Sequence, residues 1–131
     1  MPITYEWRGH VDNSALNELH AEGFDHPVGQ TDWRARLQRH SLGWVCAWED
    51  GRLVGFVNVA WDGGSHAFVL DTLTAARLRR RGVGVSLVDV ARQHAAAAGC
   101  AWLHVDFEAH LRDFYLGACG FTPTDAGLIR L

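Results

Sequence analysis

The pattern of apolar and polar positions divides the first third of the chain into one strand and two helices. Residues 3–7 predict a short opening strand. Residues 12–14 (Asp-Asn-Ser) offer capping side chains for a first helix, which we expect to end at Gly23. Residues 31–32 (Thr-Asp) can cap a second helix, and Gly43 is expected to break it.

A β-hairpin and a third strand are predicted next. The apolar and aromatic runs Trp44–Trp48 and Leu53–Trp61 flank Asp50-Gly51, a dipeptide typical of two-residue hairpin turns. A second turn at residues 62–65 leads into a strand from His66 to Thr74. These strands are expected to pair antiparallel.

The last third of the chain alternates between helix and strand. Apolar residues at three-and-four spacing predict a helix over Val83–Ala98, ended by Gly99. A strand over Ala101–Phe107, a short helix over His110–Ala118 and a final extended stretch over 121–131 complete the order. This order is mixed α+β, with about four helices around a mostly antiparallel sheet. The strand–helix–strand unit in it implies one parallel pair of strands.

Composition narrows the class of protein. The 131 residues are 48 % hydrophobic and 21 % charged, which indicates one globular domain spanning residues 1–131. A net charge of -3 argues against a nucleic-acid partner. No signal pattern and no apolar run of about 18 residues is present, so no membrane association is expected. Cys46, Cys100 and Cys119 lie far apart in the sequence and include no Cys-x-x-Cys pair, which indicates reduced thiols. We therefore expect a cytoplasmic protein.

The segment Leu78–Leu87 carries the strongest chemical signal. It places three arginines and then two glycines between a strand and a helix. A helix start has N–H groups without internal partners and a positive dipole end, and both favour a phosphate or diphosphate. Gly-x-Gly by itself is weak, and an unliganded basic loop is an alternative. The segment does not fit a P-loop, which needs Gly-Lys-Ser/Thr. It does not fit the dinucleotide fingerprint Gly-x-Gly-x-x-Gly either, because Leu87 stands at the third glycine position.

Two motifs in order resemble the GNAT acetyltransferase superfamily. The stretch Asp71–Gly84 resembles motif A of that superfamily, whose core is Gln/Arg-x-x-Gly-x-Gly/Ala after a strand, with Arg79 at the first position of that core. The segment Phe114–Phe121 resembles its Phe-Tyr…Gly-Phe segment, one helix and one strand downstream. The resemblance covers residues 66–121 and departs at Ala76, where many members carry proline.

The resemblance implies a cofactor and a fold. The cofactor is acetyl-CoA (coenzyme A), and the strand that ends at Thr74 is expected to splay from the next one to admit it. Leu73 and Thr74 would pair by backbone with the pantetheine arm. The loop and helix start would hold the diphosphate, and the residues there are Arg79, Arg80, Arg81, Gly82, Val83, Gly84, Val85 and Ser86.

The resemblance also implies a reaction, direct transfer of acetyl to a primary amine. Tyr115 matches the family tyrosine that protonates the leaving thiolate, although a core tyrosine is the alternative. The base stays open among Asp71, His104, Asp106 and Glu108, any of which could take the amine's proton directly or through a water. Asp71, Asp106 and Glu108 are expected to form an acidic pocket for a cationic amine, and each could also be an exposed polar residue.

Several alternatives remain open at this stage. A non-catalytic acyl-CoA-binding sensor or a nucleotide-phosphate binder would use the same loop. The acceptor could be a small-molecule or a protein amine, and a homodimer is possible. No metal is expected, because no ligand set has zinc spacing. Five histidines are interpreted as surface or packing residues, namely His10, His20, His26, His40 and His94.

Overall fold

A computed structural model of the protein describes residues 2–131. Five strands form one sheet in chain order, with three antiparallel junctions and a parallel one between the last two strands. The strands are β1 (Thr4–Trp7), β2 (Ser41–Glu49), β3 (Arg52–Trp61), β4 (His66–Thr74) and β5 (Trp102–Val105). The predicted mixed α+β class and the parallel pair are confirmed.

Helices cover both faces of the sheet. Leu16, Leu37 and Phe56 belong to the core between the sheet and the first two helices, whereas Val57 and Leu87 belong to the core under the third. The helices are α1 (Asn13–Phe24), α2 (Trp33–His40), α3 (Val83–Ala97) and a π-helical segment (Asp113–Ala118), with short 3₁₀ turns at Ala76–Leu78 and Ala109–Leu111. Among residues 2–131, no helix is long and apolar enough to cross a membrane.

Local side chains explain where several elements begin and turn. Asp12 caps α1 by accepting from the Ser14 backbone N–H, and Asp32 caps α2 by accepting from that of Ala35. Asp50 and Gly51 both have left-handed φ values, 50° and 74°. These values give the β2–β3 turn the backbone twist that a two-residue hairpin favours.

Two predicted helix ends are wrong. α1 continues through Gly23 to Phe24, and Asp25 takes the left-handed position with φ 51°. Gly43 lies inside β2, because α2 already ends at His40. The reason for glycine there is tertiary, since any Cβ at this position would collide with the Trp7 ring from β1.

The prediction for the C-terminal part was only partly correct. The predicted helix over 110–118 is a 3₁₀ turn followed by a π-helical segment, in which the Cys119 N–H donates to the Phe114 carbonyl five residues earlier. The final extended stretch over 121–131 adds no strand to the sheet, since none of these described residues is in a strand. β5 is also shorter than predicted and ends at Val105.

Candidate functional site

A β-bulge lies in β4 at Asp71. Leu70 pairs with Asn58 and Leu73 with Phe56, so Asp71 and Thr72 together lie opposite Val57. Asp71 has φ 54°, a left-handed value that a non-glycine residue adopts at a cost. Such a bulge leaves one residue unpaired and changes the direction of the side chains that follow it.

The parallel pair of strands opens immediately before this bulge. β4 pairs with β5 from His66 opposite Trp102 to Val69 opposite Val105, and the pairing stops there. Leu73 and Thr74 continue β4 while β5 has ended, so the β5-facing edge of the backbone at these residues borders a gap. The structure therefore has the splayed parallel pair expected from the resemblance, with Leu73 and Thr74 beside the opening.

The loop after β4 is held from both sides. The Ala76 N–H donates to Glu22 Oε1 of α1 at 2.6 Å, and the Arg77 guanidinium lies 2.8 Å from Glu49 Oε1 of β2. A proline at position 76 has no N–H and could not make the first bond. The departure at Ala76 from the family motif thus provides a different anchor for the same loop.

The start of α3 offers backbone donors that no side chain caps. Gly82 is the N-cap with φ 80°, and Arg80 also has a left-handed φ of 66°. Successive turns of this kind form a concave nest of N–H groups that suits an anion. The side chains of Arg79, Arg80 and Arg81 are exposed beside it. The helix dipole adds positive potential, so the residues present fit a diphosphate well.

Gly84 has a packing reason that the sequence did not reveal. A Cβ on Gly84 would lie 2.9 Å from Cζ and 3.0 Å from Cε1 of Phe114. Real carbon pairs rarely approach so closely, which means that only glycine lets the π-helical segment pack against the start of α3. Phe114 contacts Tyr115 edge to face with ring centres 4.7 Å apart. The glycine therefore couples the anion-binding turn to the tyrosine.

Tyr115 is buried in an aromatic cluster. Its side chain is 7 % exposed, and its ring stacks on Phe107 with centres 5.1 Å apart. Burial raises the pKa of Tyr115 above its usual range, and the nearby Thr72 hydroxyl partly opposes this shift. Thr72 Oγ1 itself is buried and lacks a partner of full hydrogen-bond geometry among the described residues. A protonated phenol and a buried hydroxyl thus lie close together.

The three predicted carboxylates lie in different surroundings. Asp71 Oδ1 is 3.3 Å from His20 Nε2 and is half-buried. Glu108 is exposed, with its carboxylate 3.4 Å from His110 Nδ1, and Asp106 is exposed beyond the end of β5. Among residues 2–131, Asp71 and Glu108 therefore contact different histidines, and Asp106 has no ion-pair partner. The shared acidic pocket therefore stays a prediction.

Sequence reasoning missed two histidines of the site. His20 contacts Asp71, and its Nδ1 lies 2.6 Å from His26 Nε2. The sequence alone indicates surface or packing residues at both positions. The available signal was that His20 follows Leu16 by four residues and so borders the buried stripe of α1.

A cleft of about 460 Å³ runs along α3 and reaches the start of that helix. Its lining includes Val85 and Ser86 near the helix start, and Arg92 and Cys119 further along. It contains neither Asp71 nor Tyr115. The gap between β4 and β5, with the turn before α3, is therefore the better candidate for the chemical site.

Comparisons with known proteins agree with this arrangement. Residues 12–121 match the family described as the acetyltransferase (GNAT) family. A search of curated proteins finds no match. Among solved structures, a Trypanosoma brucei acetyltransferase superposes with a TM-score of 0.82 at 17 % identity, covering 99 % of each chain.

Two further solved structures carry named activities. Glucosamine-6-phosphate N-acetyltransferase from Arabidopsis thaliana has a TM-score of 0.76 at 16 % identity, with 98 % of each chain covered. AAC(6')-Iy, in complex with the bisubstrate analogue CoA-S-monomethyl-acetylneamine, has a TM-score of 0.78 at 18 % identity and covers 100 % of this chain and 98 % of its own. At identities this low, the structural likeness establishes a shared fold and nothing about the substrate.

Proposed function

Since the chain belongs to the GNAT acetyltransferase family, we propose that it moves an acetyl group from acetyl-CoA to a primary amine by direct attack in a ternary complex. One observation carries the proposal. The uncapped start of α3, with left-handed Arg80 and Gly82, follows the strand that borders the β4–β5 gap through the loop over residues 75–82. A diphosphate at that turn would let a linear thioester arm run along β4 to Tyr115.

The chain's own residues provide a binding surface for the cofactor. The N–H groups of residues 80–85 and the three arginines would hold the diphosphate, with Ser86 at the edge of the turn. The backbone of Leu73 and Thr74 would pair with the pantetheine arm. Bound acetyl-CoA would supply the activated acetyl group. A conjugate of coenzyme A in the AAC(6')-Iy structure supports this choice.

The bulge and Tyr115 have complementary roles in the proposed reaction. Backbone N–H groups near Leu73 stabilise the negative charge that develops on the acetyl oxygen, a device worth about 3 kcal/mol. Tyr115 donates its phenolic proton to the departing sulfur, since its raised pKa keeps it protonated at neutral pH. Asp71, Asp106 and Glu108 attract the cationic amine, and one of them takes its proton.

The acceptor belongs to the class of small-molecule or protein amines. Proteins of the same fold are named for glucosamine-6-phosphate and for an aminoglycoside as the substrates that they acetylate, which supports an amine acceptor for this chain. We also propose that residues 1–131 form one domain and that the protein acts in the cytoplasm, where its three free thiols fit a reducing environment. We propose neither nucleic acid nor a membrane as a partner.

Ligand selectivity tests the cofactor. Acetyl-CoA should raise the melting temperature of the protein, whereas ATP and NAD at equal concentration should not. The double variant Arg80→Ala/Arg81→Ala should weaken acetyl-CoA binding about tenfold or more, with reduced salt dependence. The matched control is Arg39→Ala, because Arg39 is exposed on α2. Selective stabilisation by ATP would refute the proposal.

Turnover tests the enzymatic assignment separately. The protein should acetylate at least one member of an amine panel of aminoglycosides, amino sugars, polyamines and lysine peptides, with the product identified by mass spectrometry. Tight binding of acetyl-CoA with no transfer to any acceptor would favour the non-catalytic sensor instead.

A further inference from the structure

Asp71, His20 and His26 form a linear array that runs from the β4 bulge to the backbone after α1. His20 lies in the middle, with Nε2 3.3 Å from Asp71 Oδ1 and Nδ1 2.6 Å from His26 Nε2. At the far end, His26 Nδ1 lies 2.6 Å from the Pro27 carbonyl oxygen. The side chains of Asp71 and His20 are 25 % and 22 % exposed to solvent, so a ligand can reach the Asp71 end of the array.

A count of protons shows what this histidine–aspartate array can do. The Pro27 carbonyl and an ionised Asp71 can only accept, so the three contacts need three protons. Two neutral imidazoles carry two protons in total. With both histidines neutral, one contact therefore sets two lone pairs against each other. One added proton completes all three hydrogen bonds.

We propose that the array is the proton acceptor of the acetyl transfer, with Asp71 facing the amine and His20 and His26 sharing the proton it receives. This inference rests on the proposed function. It makes Asp71 the catalytic residue, and His20 and His26 the positioning residues that act through it. Charge is also conserved, because the positive charge leaves the ammonium group and enters the imidazole pair beside a carboxylate.

The proton and electron balance is as follows. An N–H bond of the ammonium group breaks with its electron pair left on nitrogen, and the proton goes to the position between Asp71 Oδ1 and His20 Nε2. The nitrogen pair then bonds to the acetyl carbon while the carbon–sulfur bond breaks onto sulfur, which takes the Tyr115 proton. The nitrogen releases a second proton to solvent, and solvent reprotonates Tyr115 and later takes the proton from the array.

The surroundings of His20 hold its ring in place. Phe24 and Trp33 lie against it, with ring centres 4.7 Å and 5.3 Å away. Trp33 is 2 % exposed and donates from Nε1 to Asn17 Oδ1, which anchors that wall in the core. Asp71 from β4 and His26 from the segment after α1 are the titratable groups in contact with the His20 ring among the described residues.

Nitrogen-15 NMR of the histidine rings tests the array without reference to turnover. His26 should carry its proton on Nδ1, and His20 and His26 should take up one proton as a single coupled event. Asp71→Asn should abolish that coupled uptake, because an asparagine amide can donate to His20 Nε2 and satisfy two neutral histidines. Independent proton uptake by His20 and His26, with no dependence of one ring's signals on the other, would overturn the proposal.

Kinetics tests the role of the relay. His26→Gln should lower kcat tenfold or more and shift the acidic limb of the pH–rate profile, with KM for the amine changed less than about threefold. His40→Gln should leave both unchanged, since His40 lies outside the array. Wild-type kcat across the pH range in His26→Gln would refute the relay. Absence of any transfer by the wild-type protein would instead refute the proposed function. The NMR experiment would still show whether His20 and His26 share a proton.

Discussion

Replacement of Gly84 by alanine tests whether the anion-binding turn and the tyrosine helix are packed as one unit. The new Cβ would lie 2.9 Å and 3.0 Å from two atoms of the Phe114 ring, about half an ångström inside ordinary contact. Phe114 must therefore move. Because it contacts Tyr115, the movement should also displace the phenol that we assign as the proton donor.

The net effect on stability follows from two opposing contributions. Alanine in place of glycine within a helix favours folding by up to about 1 kcal/mol. Overpacking of a filled site costs about 1–3 kcal/mol. We expect the free energy of unfolding of Gly84→Ala to fall by about 1 kcal/mol, with a lower kcat.

Urea unfolding of the wild-type protein and four variants measures this cost. Gly117→Ala is the matched control, because a Cβ on Gly117 of the π-helical segment would meet nothing within 4 Å. It should be neutral or slightly stabilising. Phe114→Leu removes the two ring atoms that the new Cβ would meet, so Gly84→Ala combined with it should be more stable than the sum of the two single changes by about 1 kcal/mol.

One result would refute this reasoning. If Gly84→Ala is as stable as Gly117→Ala and shows no coupling to Phe114→Leu, the close approach between α3 and the π-helical segment is not tight in solution. The remaining reason for a glycine at position 84 would then be that a ligand approaches the backbone closely there.

Three further predictions concern other parts of the site and the core. Gly82→Ala should cost about 1–2 kcal/mol in urea unfolding because φ is 80°, and Gly82→Asn should cost less; equal costs would contradict the left-handed N-cap. Tyr115→Phe should lower kcat tenfold or more while acetyl-CoA still binds in calorimetry, and unchanged turnover would remove Tyr115 from the mechanism. Burial raises the pKa of Cys46 from 9.0 to about 12, so above pH 9 the unfolded chain loses this proton first. The free energy of unfolding should then fall by about 1.4 kcal/mol per pH unit from this thiol, and Cys46→Ala should flatten the slope; a slope unchanged in that variant would show that the thiol ionises equally in both states.

Local patterns in the sequence were enough to predict most elements of the fold. Capping by Asp12 and Asp32 and the turn at Asp50-Gly51 depend on neighbours within a few residues, and all three are present. The turn before α3 was also predictable, because a helix start offers its N–H groups wherever the chain places it. The loop glycines and arginines therefore pointed to an anion before any tertiary contact was known.

Contacts between distant segments decided the rest. Gly43 looks like a helix breaker in sequence, but it accommodates the Trp7 ring inside a strand, and Gly84 accommodates Phe114. The π-helical segment likewise departs from the simple helix that its periodicity predicted.

The array of Asp71, His20 and His26 is the clearest case of a feature that only the tertiary structure determines. His20 and Asp71 are 51 positions apart in sequence, and they meet because α1 packs across β4 where the bulge turns the aspartate toward it. The sequence pattern over a few residues determines which hydrogen bonds and turns a residue can form with its neighbours in the chain. Which distant partner completes its hydrogen bonds depends on how helices and strands pack, and that packing is set by the whole buried surface at once.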